Sequence, residues 1–587
     1  MSLLALLLLV NKIYSQEQYF ENRIQVDPQF KPFYHGVASG DPMHDRVIIW
    51  TRVTPDSGQG GNIPVEWKVA TDTNFQNVIT FGTTVTNQSK DCTVKVDVTG
   101  LQPDTWYYYV FKAFNLYSII GRTRTFSSGD IDSIRFATIS GSNYNAGYFN
   151  AYRTLANKND VDAIFHLGDY IYEYANNEYG NNPNRSLEPT TEIINLSDYE
   201  LRHSHYKLDE DLRYAHQQYP WIVIWDDHET ADNSYKDGAV NHQTNEGPWH
   251  DRMNSGIKAY MHWMPIREQD TMQPEKIYRK FNFGDLTDMF FLETRYLARD
   301  IQSMNIDDTN KTMIGLEQRN WLLNSLDSSS ARWKIISQQV MFAPLEVPIY
   351  GPVNKDQWDG YRYERGLIQK HIKNNNNNVV VLTGDIHTSW ANELPYDKLT
   401  YLINQESVGV EFVTPAITSQ AFPIGAGMNV ITTTNPWIKY VDLSRHGYNI
   451  IDINKNRIQS DWYFVNTIDT HDLNESFGDG WYVNLSTNHL QHSTTPSQRL
   501  KTPQPFAPAL PFHEPSIVKE NADKLGLRGY VRNKNDGSVE AWLEGDHEAI
   551  AKMIEICKQG PKQAVINRLD IVEESLQDMK EFKIINF

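Results

Sequence analysis

Hydrophobic and polar residues alternate in three different ways along the chain, and each way predicts a different kind of domain. Between residues 30 and 128, short apolar runs such as RVIIWTRV and WYYYVFKAF are separated by turns, which is typical of an all-β sandwich. From 129 to 475, buried-strand runs alternate with amphipathic stretches, which predicts an α/β domain around a largely buried sheet. A short mixed unit follows at 521–587.

The stretch GLQPDTWYYYV (100–110) adds a detail to the first domain. Leu101, Pro103 and Tyr107 or Tyr108 have the spacing of the tyrosine corner, and the stretch resembles that of fibronectin type III domains. We therefore predict a fibronectin/Ig-like β-sandwich over residues 30–128 that acts as a scaffold.

The two segments that flank these domains have distinctive compositions. The apolar run Leu3–Val10 is shorter than the about 20 residues that span a bilayer, but it is typical of a signal peptide. We predict a signal peptide at 1–16 and a secreted protein, extracellular or periplasmic; the alternative is a buried N-terminal helix. Residues 490–520 are rich in Pro, Ser, Thr and Gln, which predicts a linker. No other apolar run predicts a transmembrane span.

Charge and cysteine content exclude some classes of protein. The net charge of −19 argues against a nucleic-acid-binding surface, because phosphate backbones are bound by Lys and Arg. Cys92 and Cys557 form neither a disulfide framework nor a zinc-site spacing. The sequence does not specify an oligomeric state.

Six glycosylation sequons would make the chain a glycoprotein in a glycosylating compartment: Asn87, Asn184, Asn195, Asn310, Asn474 and Asn484.

Three predicted strands of the α/β domain end in ionisable residues. AIFHLGD ends at Asp169, WIVIW is followed by residues 226–228, and VVVLTGD is followed closely by His387. In such sheets the carboxyl ends of the strands are the places where ligands bind. Clustered carboxylates repel one another unless a cation lies between them. The sequence therefore predicts one metal site with mixed oxygen and nitrogen ligands, although each residue alone also fits a structural role.

Four motifs carry a family resemblance: GDYIYEY (168–174), WDDHE (225–229), LETRY (292–296) and GDIHTSW (384–390). They resemble the PhoD-like alkaline phosphatases and phosphodiesterases of the calcineurin-like metallophosphoesterase superfamily, over roughly residues 30 to 470. The resemblance implies an N-terminal β-sandwich and a central metallophosphoesterase sandwich. It also implies secretion, and hydrolysis of phosphate mono- or diesters in which a metal-activated hydroxide attacks phosphorus.

The resemblance also implies the metal ligands. Asp169 would bridge two metals, and Tyr172 would bind iron as a phenolate. Asp227 stands where the wider superfamily has the Asn ligand of GNHE, and Asp385 with His387 would close the ligand set. The metals implied are Ca2+ and Fe3+.

Three further residues are assigned in the same way. His228 matches the catalytic His, which contacts the phosphoryl group or protonates the leaving oxygen. Asn233 is expected to add a calcium contact. For Arg295 two roles stay open: a phosphate clamp, since guanidinium pairs well with phosphate oxygens, or a structural ion pair.

One position departs from the family pattern. The family has SCSNY where this chain has SGSNY, so that Gly141 replaces a cysteine metal ligand. Iron ligation is therefore expected to differ. The alternatives are an oxygen ligand from Ser142 or Asn143, a different metal, or an impaired site.

The C-terminal unit, 521–587, resembles acylphosphatases, and Asn533 matches the Asn that orients the attacking water in that family. The family also needs a phosphate-cradling loop of the form GxGFR. This chain has LPFHEPSIVKEN (510–521) there, with Pro515 at the Arg position. We predict an incomplete α+β, ferredoxin-like unit that is inactive.

The predicted function is a secreted, metal-dependent hydrolase of phosphate esters. The first alternative is a phospholipase D-type phosphodiesterase. The second is a metal-binding surface protein with impaired catalysis, and a minor third is acylphosphatase activity of the C-terminal unit.

Overall fold

A computed structural model of the protein describes most of the chain in two units. One compact unit ends at Pro511 and a second begins at Phe512. The described residues are 26–56, 61–302, 305–347, 351–375, 378–421, 427–512, 517–533, 539–559, 571–572 and 579–584. The predicted signal peptide at 1–16 and Pro515 lie outside these residues.

The structure is rich in β-strands, which alternate with helices through the middle of the chain. In chain order the strands are β1 (Val37–Gly40), β2 (Arg46–Arg52), β3 (Ile63–Ala70), β4 (Val78–Thr86), β5 (Thr93–Thr99), β6 (Trp106–Ala113), β7 (Leu116–Tyr117), β8 (Gly121–Arg124), β9 (Ser133–Ile139), β10 (Ala163–Leu167), β11 (Pro220–Ile224), β12 (Arg279–Phe283), β13 (Thr287–Phe291), β14 (Trp333–Gln338), β15 (Glu346–Val347), β16 (Gly351–Pro352), β17 (Val379–Thr383), β18 (Ser389–Pro395), β19 (Ser407–Val413), β20 (Ile438–Asp442), β21 (Gly447–Asn454), β22 (Arg457–Val465), β23 (Glu475–Asn484), β24 (Leu490–Ser493), β25 (Arg528–Asn533), β26 (Val539–Glu544) and β27 (Phe582–Ile584).

Two large mixed sheets form the centre of the first unit. The first has the strand order β24-β23-β22-β21-β9-β10-β11-β1-β2-β5, and β9, β10, β11 and β1 are parallel neighbours within it. The second has the order β12-β13-β14-β17-β19-β18-β20, with β13, β14, β17 and β19 parallel. The parallel strands β10, β11 and β17 are mostly apolar and fully buried, as expected when both faces of a sheet are covered.

Aromatic side chains from both sheets meet in one core. The ring of Phe165 on β10 lies 5.3 Å from that of Phe291 on β13, and Phe136 on β9 lies 5.0 Å from Phe283 on β12. Such edge-to-face and tilted ring pairs are favourable beyond the apolar area that they bury. The two sheets therefore share a hydrophobic core between them.

Helices cover the outer faces of the sheets. Side chains of α1 to α4 belong to the same hydrophobic cluster as the first sheet, and those of α5 and α6 to a cluster with the second. Among the described residues, no helix is both long and apolar enough to span a membrane. The helices are α1 (Asn150–Lys158), α2 (Leu196–Lys207), α3 (Glu210–Gln218), α4 (Trp249–Trp263), α5 (Gly315–Ser328), α6 (Arg362–Asn375), α7 (Lys398–Asn404), α8 (Met428–Thr434), α9 (Ile517–Lys524) and α10 (His547–Gln559).

The N-terminal strands differ from the self-contained sandwich predicted over residues 30–128. β3, β4, β6, β7 and β8 form a separate five-stranded sheet, but β1, β2 and β5 belong to the ten-stranded sheet. Ser39 of β1 is in parallel register with Pro220 of β11. Tyr107 forms the predicted corner, because its hydroxyl accepts a hydrogen bond from the backbone N–H of Gln102 at 2.8 Å. The region is thus joined to the central sheet by backbone pairing.

The segment predicted as a linker differs from that prediction up to Pro511. β24 is an edge strand of the ten-stranded sheet. Further along, the carbonyl oxygens of Gln504, Pro505 and Pro508 accept hydrogen bonds from side chains of the body, including that of Gln217. Proline-rich backbone has few donors but keeps its acceptors, so these side chains can fix it in an extended course.

The second unit contains a three-stranded sheet in the order β26-β25-β27, with α9 and α10, among its described residues. Leu527, Val531, Met553 and Phe582 form its small core. Asn533 is the last residue of β25. The description of the structure does not extend to the Asn533 side chain.

Candidate metal centre and active site

The ends of β10 and β11 are brought together by a glycine. Gly168 has φ +104°, and a Cβ atom there would lie 2.3 Å from Cβ of Asp226. A side chain at position 168 would therefore push the two strand ends apart. The glycine of the GD motif lets Asp169 and Asp226 sit side by side.

Several residues of the candidate site lie in the left-handed backbone region. Four predicted ligands have positive φ: Asp169 (58°), Asn233 (51°), Asp385 (63°) and His387 (58°). Non-glycine residues rarely adopt this conformation, and it persists where surrounding structure imposes it, often at functional sites. The strand ends thus hold these side chains in place by backbone geometry.

Three donor atoms form a nearly equilateral triangle at the centre of the site. Tyr172 OH lies 3.0 Å from Asp169 Oδ2 and 3.0 Å from His387 Nε2, and the last two atoms are 3.1 Å apart. His387 Nδ1 donates to the carbonyl oxygen of Gln420 at 2.8 Å, which leaves Nε2 as the free acceptor. Ser419 Oγ donates to the Tyr172 hydroxyl at 2.5 Å. Such spacing is that of neighbouring ligands around one small cation.

A second group of carboxylates surrounds Arg295. Its guanidinium donates to Asp226, to Asp356 Oδ2 at 2.6 Å and to Asp385 Oδ1 at 2.9 Å, and it lies 3.6 Å from Asp227 Oδ1. The Arg295 side chain is completely buried. These contacts favour the ion-pair role for Arg295 over the phosphate clamp, because carboxylates surround its donor groups.

Asp227 and Asp385, two of the carboxylates near Arg295, have pKa values shifted in opposite directions. Burial opposes ionisation of Asp227, but Arg295 and His228 outweigh it and lower the pKa of Asp227 to about 2. Burial raises the pKa of Asp385 to about 6, against the effect of Arg295. Asn233 contacts Asp227 through its backbone N–H, which donates to Asp227 Oδ2 at 2.6 Å. The side-chain amide of Asn233 instead donates to Asp232 at 3.0 Å.

His228 is held by Glu173, a buried carboxylate of the GDYIYEY motif to which the sequence assigned no role. Its Nδ1 lies 2.8 Å from Glu173 Oε2, and Nε2 is 4.0 Å from the closest oxygen of Asp232. Burial lowers the pKa of His228. The charges of Glu173, Asp227 and Asp169 raise this pKa by more than burial lowers it, so that it lies well above the usual value. The ring of Tyr172 lies 4.3 Å from the His228 ring. Glu173 therefore fixes the His228 ring through Nδ1 and leaves Nε2 available to a ligand.

Two other buried glutamates hold the strand ends and were also missed by sequence reasoning. Glu229 accepts hydrogen bonds from the backbone N–H groups of Asp169 at 3.2 Å and Asp226 at 2.7 Å. Glu293 accepts from the backbone N–H of Arg295 at 2.8 Å and from Trp225 Nε1 at 3.0 Å. Glu229 stands in WDDHE and Glu293 in LETRY, so their presence in motifs was the available signal.

Gly141 lies against His387. A Cβ atom at position 141 would be 2.9 Å from His387 Cδ2 and 2.9 Å from Ala416 Cβ, and the residue has φ +65°. The substitute ligands considered for this position are engaged elsewhere. Ser142 Oγ bonds with Tyr152 OH at 2.5 Å, and Asn143 Oδ1 accepts from a backbone N–H. Ser419 is the hydroxyl residue that reaches Tyr172.

The donor set fits a metal centre. Among the described residues, Asp169 Oδ1 and Asp226 Oδ2 are buried and have no hydrogen-bond partner. Buried carboxylate oxygens without partners are costly unless a cation satisfies them. Ligand atoms of Asp169, Asp227 and His228 lie within 4.8 Å of one another, as do those of Asp226, Asp227 and Asp385. Every predicted ligand is thus in or beside one cluster.

Sequence comparison identifies similar families along three parts of the chain. The sequence model of the family described as PhoD-like phosphatase matches residues 136–462, and that of the PhoD-like phosphatase N-terminal domain matches 20–127. The acylphosphatase model matches 515–584. Similarity to the first family covers more than half of the chain.

Individual relatives give the same result. The chain is 38% identical over 423 residues to alkaline phosphatase D of Bacillus subtilis (strain 168), covering 68% of this chain and 71% of that protein. The solved structure of PhoD matches with a TM-score of 0.74 and 33% identity, over 81% of this chain and 95% of that chain. The C-terminal segment is 45% identical over 68 residues to the acylphosphatase of Acaryochloris marina (strain MBIC 11017), which covers 12% of this chain and 73% of that protein.

Proposed function

Because the chain belongs to the PhoD-like phosphatase family and is a phosphoric ester hydrolase, we propose that it cleaves phosphate esters at the cluster around Asp169. The observation that carries this proposal is the triangle of Asp169, Tyr172 and His387 beside the carboxylates of Asp227 and Asp385. Three strand ends, distant in sequence, supply these groups to one place.

The proposal includes a metal centre built from two groups of ligands. Asp169, Tyr172 and His387 would hold one ion, for which phenolate and imidazole donors favour Fe3+. Asp227 and Asp385, with Asn233 beside them, would hold a second ion, for which oxygen donors favour Ca2+. When bound, such ions lower the pKa of water and offset the charge of the phosphate.

The protein's own residues then position the substrate and move one proton. Hydrolysis breaks the bond between phosphorus and the ester oxygen, and a water oxygen takes its place on phosphorus. The proton that this water loses passes to the solvent, from which His228 is protonated again after the reaction. We assign His228 to hydrogen-bond the phosphoryl group and to give its Nε2 proton to the leaving oxygen. Glu173 supports this assignment, because it accepts from Nδ1 and leaves Nε2 for the substrate.

Removal of metal is expected to abolish activity and to lower stability. Dialysis against a chelator should reduce hydrolysis of an aryl phosphate by about a hundredfold or more, since the phosphate loses its counter-charges. The thermal midpoint should also fall, because the buried carboxylates then repel one another. Elemental analysis of untreated protein and a visible phenolate-to-iron absorption band identify the ions. Full activity in protein that retains less than stoichiometric metal would contradict the proposed mechanism.

Glu173→Gln is expected to lower kcat by about tenfold to a hundredfold with little change in KM. The amide keeps the size of the side chain but no longer stabilises a protonated His228. Steady-state kinetics of Glu173→Gln, His228→Asn and the double variant provide the test. If Glu173 acts by positioning His228, the double variant should be no slower than His228→Asn alone.

Glu173→Asp serves as the conservative control in the same assay. It keeps the charge and should recover part of the lost kcat. Multiplicative losses in the double variant would show that Glu173 acts independently of His228.

Secretion and the inactivity of the C-terminal segment are part of the same proposal. Secretion is supported by the apolar run Leu3–Val10. Inactivity of the acylphosphatase-family segment is supported by the stretch LPFHEPSIVKEN, which lacks the glycines and the arginine of the phosphate-cradling loop.

A further inference from the structure

A cavity of about 290 Å³ opens beside the candidate metal centre. Asn233 links the cavity to the cluster. It lines the cavity, and its backbone N–H donates to Asp227 Oδ2 at 2.6 Å. The cavity is lined by Asn233, Tyr235, Ala239, Val240, Arg299, Ile301 and Gln302.

Each wall of the cavity is formed by a chain segment that directly follows a residue of the candidate site. The first wall is the loop after Asn233, where the backbone N–H of Val240 donates to the carbonyl of Asp232 at 2.9 Å. The second wall follows Arg295 in the chain. The backbone N–H of Lys236 donates to the carbonyl of Arg299 at 3.1 Å and joins the two walls. The cavity therefore adjoins the loop that carries Asn233 and the segment that follows Arg295.

The lining offers mainly apolar surface. Val240 and Ile301 are 68% and 52% exposed, so both present aliphatic surface. The polar ends of two other lining residues are engaged by one carboxylate. Arg299 pairs with Asp356 Oδ1 at 2.5 Å, and Gln302 Nε2 donates to the same oxygen at 2.5 Å.

Charge around the cavity limits what can bind there. Asp232, which lies between His228 and Val240 in the loop, is a partly exposed carboxylate. With the neighbouring acidic cluster, it disfavours a second anionic group on the substrate. An uncharged apolar group meets no such penalty and covers exposed aliphatic surface when it binds.

We propose that this cavity is a binding site for the organic group of the ester, so that the enzyme prefers phosphate esters of apolar aryl or alkyl alcohols. This inference rests on the proposed function of the neighbouring cluster. The volume suits such a group, since a cavity of about 150 Å³ already holds benzene. We call the site the apolar subsite and define it by Ala239, Val240 and Ile301.

The test compares two esters, naphthyl phosphate and glycerol phosphate, in the full-length enzyme with its metals. The ratio of kcat/KM for the naphthyl ester to kcat/KM for the glycerol ester is measured in wild type, Val240→Asn and Ile301→Asn. We expect this ratio to fall by about tenfold or more in each variant, because a polar amide replaces an apolar contact. Leu399→Asn, which changes an exposed aliphatic residue on α7, is the matched control and should leave the ratio unchanged.

A ratio unchanged in both subsite variants would overturn the apolar subsite, while turnover of either ester would leave the proposed function in place. Absence of turnover of both esters by wild type would overturn the proposed function. Calorimetry then tests the subsite without catalysis. We expect naphthylphosphonate to bind about tenfold more tightly than methylphosphonate, and Val240→Asn to abolish that difference. Equal affinity of wild type for the two phosphonates would overturn the inference.

Discussion

Replacement of Asp169 by asparagine should reduce kcat/KM for phosphate esters by about a thousandfold or more, with the fold retained. Asp169 Oδ2 is one corner of the triangle with Tyr172 and His387, and Oδ1 is buried without a partner among the described residues. Asparagine keeps the shape and tolerates positive φ, but it loses the negative charge that would bind a cation. Steady-state kinetics and elemental analysis should show the loss of activity and of bound metal together.

Asp104→Asn is the matched control for this substitution. Asp104 also has positive φ, at 48°, and it pairs with Arg124 in the N-terminal region. The control variant should keep wild-type activity and metal content. A slow Asp169→Asn variant that still binds the full complement of metal would show that Asp169 acts in catalysis without acting as a ligand.

Replacement of Arg295 by methionine should destabilise the first unit by about 3–5 kcal/mol. Arg295 is completely buried, and Asp226, Asp356 and Asp385 would lose their positive partner. The thermal midpoint of unfolding should fall clearly, and Arg295→Lys should fall less because it keeps the charge. Added Ca2+ should recover part of the loss, since a cation can offset the same carboxylates.

This result would separate the two roles considered for Arg295. A structural ion pair predicts a lower midpoint, whereas a phosphate clamp predicts a raised KM at an unchanged midpoint. Arg46→Met is the control for loss of an arginine, because Arg46 pairs with Asp45 at a half-exposed position. Exposed pairs contribute about 0–1 kcal/mol, so its midpoint should hardly change.

That these residues lie together at one edge could be predicted because the signal is local. Each of β10, β11 and β17 is a mostly apolar run, and acidic residues follow within two positions of its end. A strand buried on both faces gives such a run, and its carboxyl end marks the edge of the sheet where ligands bind. The structure places Asp169, Asp227 and His387 together at that edge.

The supports of the site could not be predicted because they depend on contacts between distant segments. Glu173 follows Tyr172 directly in sequence, yet its partner His228 is 55 residues away. Asp356 belongs to no motif and acts only through Arg295 and Arg299. The sequence shows that a carboxylate is present. It does not show which buried hydrogen-bond donor that carboxylate contacts.

Two features of the fold could not be predicted from the sequence for a related reason. The alternation of hydrophobic and polar residues does not show that β1 pairs with β11. Side chains of a strand alternate with a period of two residues both in a separate sandwich and in a larger sheet. Proline-rich composition likewise describes extended backbone in general. It does not distinguish a solvated linker from a segment such as Gln504–Pro508, whose carbonyls are bound by side chains of the body.

The strand order of the ten-stranded sheet has a consequence for biosynthesis. β9 pairs with β21, with Thr138 opposite Asn449, so neighbouring strands of the central sheet are synthesised more than 300 residues apart. Such high contact order makes folding slow, since a long loop must close before the pairing is gained. A nascent chain cannot complete this sheet until β21 to β24 have left the ribosome. Early strands such as β9 would thus lack the partner on that side through most of synthesis.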